Sequence, residues 1–421
     1  MKDRVVITGT GMVTSLGLSS SETWQALLDG KCGIRTIEDF DAGGFECTAA
    51  AQVLSLNPDD LDIHPRDARI MDKHAHMLMK CGQDAFRSAG LEKAAIAPED
   101  IGFFAGMGMV DYNIDDLLPA IVKSLDSTGN IDYDTFYSEA YQDIFPLWPL
   151  SMLNNISFCQ VAINLGIKGD NTVFCPHADS GLHAVIEAMH SLYEGKARIV
   201  LAGGVSEKIS PMSMARASLF EILNKDDTAC RPFDDRSAGT LLGEGCGIVS
   251  LEREASAKER HMPYSVAVTG YGTSCTREPD HYCPTSEAIA HSMNHAISTA
   301  GIKSADIDLV IAHGDGTVEG DRNEQSALNA VFGGSMGSIS LYSSKASLGH
   351  TLAGAPGIDL ILGMYSIENG IIPPVYGRSP DSRVSQNLVF NNPLTRDVKR
   401  ILLNALSYEG QCASLIIEAV Q

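Results

Sequence analysis

Short apolar runs alternate along the chain with stretches of helical period. "RVVITGTG", "IGFFAGMG", "RIVLAGGV", "YSVAVTGYG", "DLVIAHGDG", "RILLNALS" and "ASLIIEAV" are apolar on consecutive positions. That pattern predicts strands buried on both faces, at the centre of a sheet covered by helices on each side. Residues 172–207, "TVFCPHADSGLHAVIEAMHSLYEGKARIVLAGGVSE", read as strand, tight turn, helix and strand. Leu182, Val185, Ile186, Met189, Leu192 and Tyr193 recur at helical spacing and predict a core helix. A turn of this kind usually presents a nucleophile at the start of its helix. Here the tip, just before Asp179-Ser180-Gly181, holds Ala178.

The pattern also repeats. "VVITGTG" (5–11) and "VAVTGYG" (266–272) open two parts of the chain, and each is followed later by a strand–turn–helix with unusual polar residues. Two copies of one α/β unit packed face to face would produce this. The charged helical segment "LEREASAKERHMP" (251–263) reads as their connection, giving halves of 1–255 and 256–421. Residues 111–150 carry acidic and aromatic side chains without a clean period, which predicts an excursion over the surface or across a subunit interface.

Composition narrows the function classes. The 421 residues are 44% hydrophobic and 20% charged, ordinary for a globular chain with a substantial core. The formal net charge of −22 argues against nucleic acid or an anionic membrane as partner. No apolar run is long enough to cross a bilayer. The opening "MKDRVVITGTGMV" moves straight into a strand, without the apolar core of a signal peptide. The ten cysteines include no CxxC pair, so reduced thiols in the cytoplasm are expected, and neither zinc nor another metal.

Three stretches are candidates for chemistry. "TGTGMVT" has a G-x-G at Gly9 and Gly11, but Thr14 stands at the third glycine position of a dinucleotide loop. Tight-turn glycines account for it better. "AHGDGTVEGDRNE" (312–324) and "SSKASLGHTLAGAPG" (343–357) each set a histidine, His313 or His350, among small residues. His313 directly follows an apolar strand, where ligands bind in open α/β folds.

Together with "RVVITGTGMVTSLG" and "ACRPFDDRSAGTLLGEGCGIVSLE" (229–252), these stretches resemble the β-ketoacyl-ACP synthases of the elongating type, nearly end to end. The resemblance implies a thiolase-like α/β fold, two repeated halves forming a layered αβαβα core. It also implies that His313 and His350 surround a malonyl group and stabilise the enolate left when CO₂ departs. Lys345 would pair with Glu324 and brace the histidine-bearing turns. No cofactor is implied, since substrates arrive on the phosphopantetheine arm of an acyl carrier protein.

Aligned on Ser180-Gly181-Leu182-His183, the family's nucleophilic cysteine falls on Ala178, whose methyl group accepts no acyl chain. Cys175 does not replace it: three strand positions displace a sulfur by roughly 10 Å. It reads as a buried structural thiol, and His177 is foreign to the family pattern. "NALSYEGQC" (404–412) keeps an aromatic gate at Tyr408, but Ser407 and Glu409 replace its flanking glycines. Asp315 replaces the threonine of the family's H-G-T and puts a carboxylate near the malonyl carboxylate.

These departures resemble the chain-length factor, the ketosynthase-like subunit that pairs with a cysteine-bearing ketosynthase in type II polyketide systems and shapes the end of the chain cavity. Met109 and Tyr112 are candidates for limiting its depth, and Arg66 and Arg69 for docking the acidic carrier protein. Retention of both histidines and the lysine points to a branch such as those making polyenes. It also leaves open a malonyl-ACP decarboxylase using His313 and His350. A third reading is a β-ketoacyl-ACP synthase whose cysteine has been exchanged for Ala178.

Overall fold

The two copies of the repeated opening lie side by side. In the computed structural model, which describes residues 4–68, 71–109, 111, 114–151, 153–225, 229–377 and 387–420, they form strands β1 (Val5–Thr14) and β6 (Val266–Cys275). They meet antiparallel through Val5 opposite Val268 and Val6 opposite Ala267. Around this joint the same arrangement is built twice. On one side follow β5 (Gly245–Arg253), β4 (Ile199–Val205), β2 (Ile101–Met107) and the edge strand β3 (Asn171–Phe174). On the other follow β10 (Gln411–Ala419), β9 (Arg400–Leu406), β7 (Leu309–Ile311) and β8 (Ser340–Tyr342). In each half the first three strands are antiparallel and the outer ones parallel.

Helices cover both faces. Helix α1 (Lys73–Ser88) lies on β1, β5 and β4 with α2 (Asn154–Asn164) beside it, and α4 (Pro211–Leu219) follows β4; α5 (Ser286–Ala300) lies on β6 and β10, beside α6 (Val318–Phe332). Between the halves run α3 (Ala178–Glu194) and α7 (Ala355–Asn369), each touching strands of both. The layering is therefore the αβαβα of a thiolase-like fold. Strands β2 and β4 are buried throughout, as their uninterrupted apolar runs require. Of the positions of α3 predicted as core, Leu182, Val185, Ile186, Met189 and Leu192 are buried, whereas Tyr193 near its end is exposed, with Arg253 over its ring at 5.9 Å. Among the described residues no helix is long and apolar enough to cross a membrane.

Gly9 and Gly11 do not form a turn. Both sit inside β1, where α1 crosses so closely that a Cβ on Gly9 would lie 2.5 Å from the Ala85 carbonyl oxygen. A Cβ on Gly11 would run into the Cys81 carbonyl. The glycines permit helix-on-strand contact; a period-two reading carries no record of what packs against the strand.

The segment 111–150 departs from the layers as expected. It forms short helical pieces, Leu118–Lys123 and Tyr133–Ser138 among them, that leave Ile114, Leu118, Val122, Tyr133, Tyr137 and Phe145 exposed.

Candidate active site

The site gathers where α3 begins and where the C-terminal half's strands end. His313 follows β7, and its turn is held by a carboxylate from α6: Glu324 accepts the amide N–H of His313 (2.9 Å) and of Gly314 (2.8 Å). The Asn404 side chain donates to the same carboxylate at 2.9 Å. Gly314 (φ +42°) and Gly349 (φ +66°) take backbone conformations next to the histidines that a side chain would strain. His350 is 1% exposed, its amide donating to the Leu241 carbonyl at 2.7 Å. The two imidazoles stand edge to face, 5.0 Å between centroids.

Lys345 does not reach Glu324. Its ammonium, 1% exposed, pairs with Asp359 of α7 at 2.8 Å, and Asp359 also accepts the Ser344 hydroxyl at 2.6 Å. Glu324 is already occupied by two amides and Asn404, so the expected pair is corrected to Lys345–Asp359. The missed signal was a single acid in the apolar run "GIDLILG" (357–363), since a charge buried in a helix of that kind needs a partner.

Asp315 lies beside the histidines, 2% exposed. It accepts the Thr317 amide (2.9 Å), the Thr317 hydroxyl (2.7 Å) and the Tyr408 hydroxyl (3.2 Å), with His313 Nε2 at 3.7 Å. Burial pushes its carboxyl up; the His313 imidazole and the Thr317 amide more than reverse this and hold it well below the usual carboxylate range. Burial and the neighbouring Asp315 push the Tyr408 phenol far up, so it stays protonated and donates. Burial and His313 depress His350, which is neutral.

His313, Asp315 and His350 bring three possible metal-ligand atoms within 4.8 Å of one another. The Leu406 amide, however, points at His313 Nδ1 at 3.3 Å, so in the neutral ring the proton sits on Nε2, which faces Asp315. A nitrogen carrying a proton is a donor, not a ligand. The arrangement is chemically a set of hydrogen-bond donors around one anion.

Ala178 is the first residue of α3 and fully buried. His177 precedes it as N-cap, its ring 5.6 Å from that of Tyr408, which in turn stands 5.9 Å from His350. So the methyl group stands at the tip of a buried helix beside the histidine pair. Phe220 stacks on Tyr408 at 6.1 Å, and neither it nor Asn404 stood out in the sequence. Behind them a small cavity of about 30 Å³ is lined by Met109, His177, Phe220, Leu352 and Tyr408, with the Glu207–Arg216 ion pair at its border.

Met109 thus borders this cavity, half-exposed at its mouth. Tyr112 and Arg69 lie outside the described residues, and Arg66 is described only as part of a helical turn, Pro65–Ala68. Two lysines of the neighbouring basic stretch are used internally: Lys73 pairs with Asp39 (2.8 Å) and the buried Glu244 (2.6 Å), and Lys80 with Asp84.

Cys175 is exposed rather than buried, because β3 is the edge of the sheet. Its sulfur accepts from the Asn154 amide at 2.9 Å, and partial burial of the thiol outweighs that bond and raises it. Cys230 is buried against the Asp315 carbonyl (3.2 Å), and burial with Asp321 and Asp315 pushes it far up. Neither is an activated thiol. Limited iodoacetamide labelling, read by peptide mass mapping, should therefore modify Cys175 slowly, the rate rising ~tenfold per pH unit up to pH 9. Native Cys230 should stay unmodified. Fast, pH-independent labelling of Cys175 below pH 7 would contradict this.

This fold and this pair of histidine-bearing turns define a ketosynthase-type protein, and the chain belongs to the β-ketoacyl synthase family: it matches the family's N-terminal domain over residues 2–257 and its C-terminal domain over 265–378. It is 28% identical to the 3-oxoacyl-[acyl-carrier-protein] synthase 2 of Staphylococcus aureus (strain COL), over 99% of this chain and 98% of that protein. Among solved structures it resembles the ishigamide ketosynthase/chain length factor, at 26% identity and a TM-score of 0.85, with both chains fully covered. The type II polyketide ketosynthase solved with its acyl-carrier protein as AntDE:AntF shares the fold, with a TM-score of 0.80 at 24% identity and full coverage of both chains.

Proposed function

We propose that this chain is a non-condensing, chain-length-factor-like subunit that pairs with a cysteine-bearing ketosynthase and shapes the cavity receiving the growing acyl or polyketide chain. The observation that carries the reading is Ala178: the helix tip beside the histidine pair ends in a methyl group, and the nearby thiols are not activated. Without a thioester on the enzyme, condensation must be performed by a companion.

The companion's surface is supported separately. β3 is an edge strand whose outer side has no neighbour among the described strands. Exposed apolar side chains concentrate nearby in sequence, from Ile114 through Tyr133 and Phe145 to Ile163, as an interface requires. The likeness to the ishigamide ketosynthase/chain length factor favours a heterodimer in type II polyketide synthesis. Substrate would reach the pair on a pantetheine arm, carried by an acyl carrier protein.

Co-expression with a cysteine-bearing homologue should give a stable 1:1 complex, resolved by size-exclusion chromatography with native mass spectrometry. The chain alone should elongate nothing. A homogeneous homodimer that condenses acyl units unaided would overturn the proposal. The retained histidine pair favours a second reading, a malonyl-ACP decarboxylase, for which CO₂ release abolished by His313→Ala is the required result.

A further inference from the structure

Directly behind two pocket-lining side chains, Tyr408 and Thr317, lies a charge that no condensing step calls for. Asp315 is a fixed internal anion, held by the Thr317 amide, the Thr317 hydroxyl and the Tyr408 hydroxyl. Its one ion-pair partner among the described residues is His313, 3.7 Å away. Around it stand imidazole nitrogens that no protein group hydrogen-bonds: both of His350, and Nε2 of His177, which has only the Glu409 carboxylate at 3.9 Å; both rings are at least nine-tenths buried. Buried polar atoms of this kind require a partner; both rings stand against that of Tyr408, at 5.6 and 5.9 Å, and His177 and Tyr408 line one cavity. A neutral imidazole can offer an N–H to an oxygen, whereas Asp315 repels any oxygen that carries full negative charge.

The outer hollow repeats the sign. On the far side of Phe220 a space of about 230 Å³ is lined by Glu221, Asp280, Glu319 and Thr317, and its His281 is tied to Glu319. An anionic ligand would therefore meet the carboxylates of this hollow and, behind Thr317, the charge of Asp315. A neutral carbonyl meets no such repulsion and can accept from an imidazole N–H.

We infer that Asp315 makes this pocket a receptor for neutral acyl or β-ketoacyl thioesters and shuts out dicarboxylic thioesters of the malonyl type. This rests on the thioester-binding reading above and assigns extender-unit chemistry to the partner subunit. In this chain the histidine pair holds a ketone or thioester oxygen without decarboxylating anything.

The test compares two hydrolysis-stable pantetheine amides that differ only in charge, one ending in malonyl carboxylate and the other in the corresponding carboxamide. Both are titrated calorimetrically against the full chain. The carboxamide should bind, and the carboxylate at least roughly tenfold more weakly, as two like charges in a shared low-dielectric site demand. Asp315→Asn should narrow the gap to within about threefold. Equal or tighter binding of the carboxylate, no binding of either ligand, or an unchanged gap in Asp315→Asn would overturn the inference. The ligand pair needs no substitution, so an unstable variant does not spoil the comparison. Co-purification with a cysteine-bearing subunit is read in parallel: failed pairing with intact discrimination sinks the partner-subunit reading alone, and intact pairing without discrimination sinks this inference alone.

Discussion

Ala178→Cys, made in the isolated chain, is expected to restore a thiol but not a synthase: condensation should stay below roughly one per cent of that of a cysteine-bearing relative. A catalytic cysteine depends on the positive end of its helix and on nearby cations to become a thiolate. Here the first turn of α3 carries Asp179 next in sequence, Glu409 lies 3.9 Å from His177, and the buried Asp315 lies 3.7 Å from His313. Burial raises the Asp179 carboxyl, with His183 only partly opposing it. Burial also keeps His177 low, so the ring next to position 178 does not stand ready as an imidazolium to favour a thiolate. A like charge within ~4–6 Å disfavours ionisation, so a thiol placed at 178 should titrate no lower than the ordinary value of about 8.5. The pH dependence of its alkylation measures that, and product mass spectrometry measures condensation. Adding Asp315→Thr should raise acylation of the new thiol by about tenfold. If Ala178→Cys alone condenses at the rate of an active relative, the chain is a synthase with one atom exchanged, and the partner-subunit reading falls.

How far the sequence carried depended on where each cause lay along the chain. The doubled V-x-[IV]-T-G-x-G opening was legible because both copies are local strand patterns, and they pair at the joint through Val5 and Val268. His313 and His350 were legible as strand-end and turn residues, since glycine neighbours mark sharp backbone even without coordinates. Facts set by distant packing were not. Gly9 and Gly11 are small because α1 crosses them, and Cys175 is exposed because β3 has no strand beyond it. His177 stood out as foreign to the family pattern, but only its ring contacts with Tyr408 and Phe220 place it in the pocket. Glu324 was wrongly partnered: its carboxylate fastens backbone amides, a role that a charge-pair reading does not contain.

The Lys345 correction predicts the largest change in stability. Lys345→Met should cost about 3–5 kcal/mol, because it leaves the Asp359 carboxylate buried with only the Ser344 hydroxyl as partner. For a chain of 421 residues that is a fall in melting temperature of ~3–6 °C. Removing both ends of the pair, as in Lys345→Met with Asp359→Leu, should recover most of the loss, since a matched apolar pair needs no counter-charge. Double-mutant cycles then decide between the two partners. Coupling of Lys345 to Asp359 should reach about 2 kcal/mol or more, whereas coupling to Glu324 should stay within about 0.5 kcal/mol. Helix α7 runs between the two sheets, so this ion pair ties the His350 turn to the centre of the molecule. The pair double variant should therefore regain stability but not full binding of a neutral thioester analogue. If it regains both, the lysine braces the fold without positioning His350.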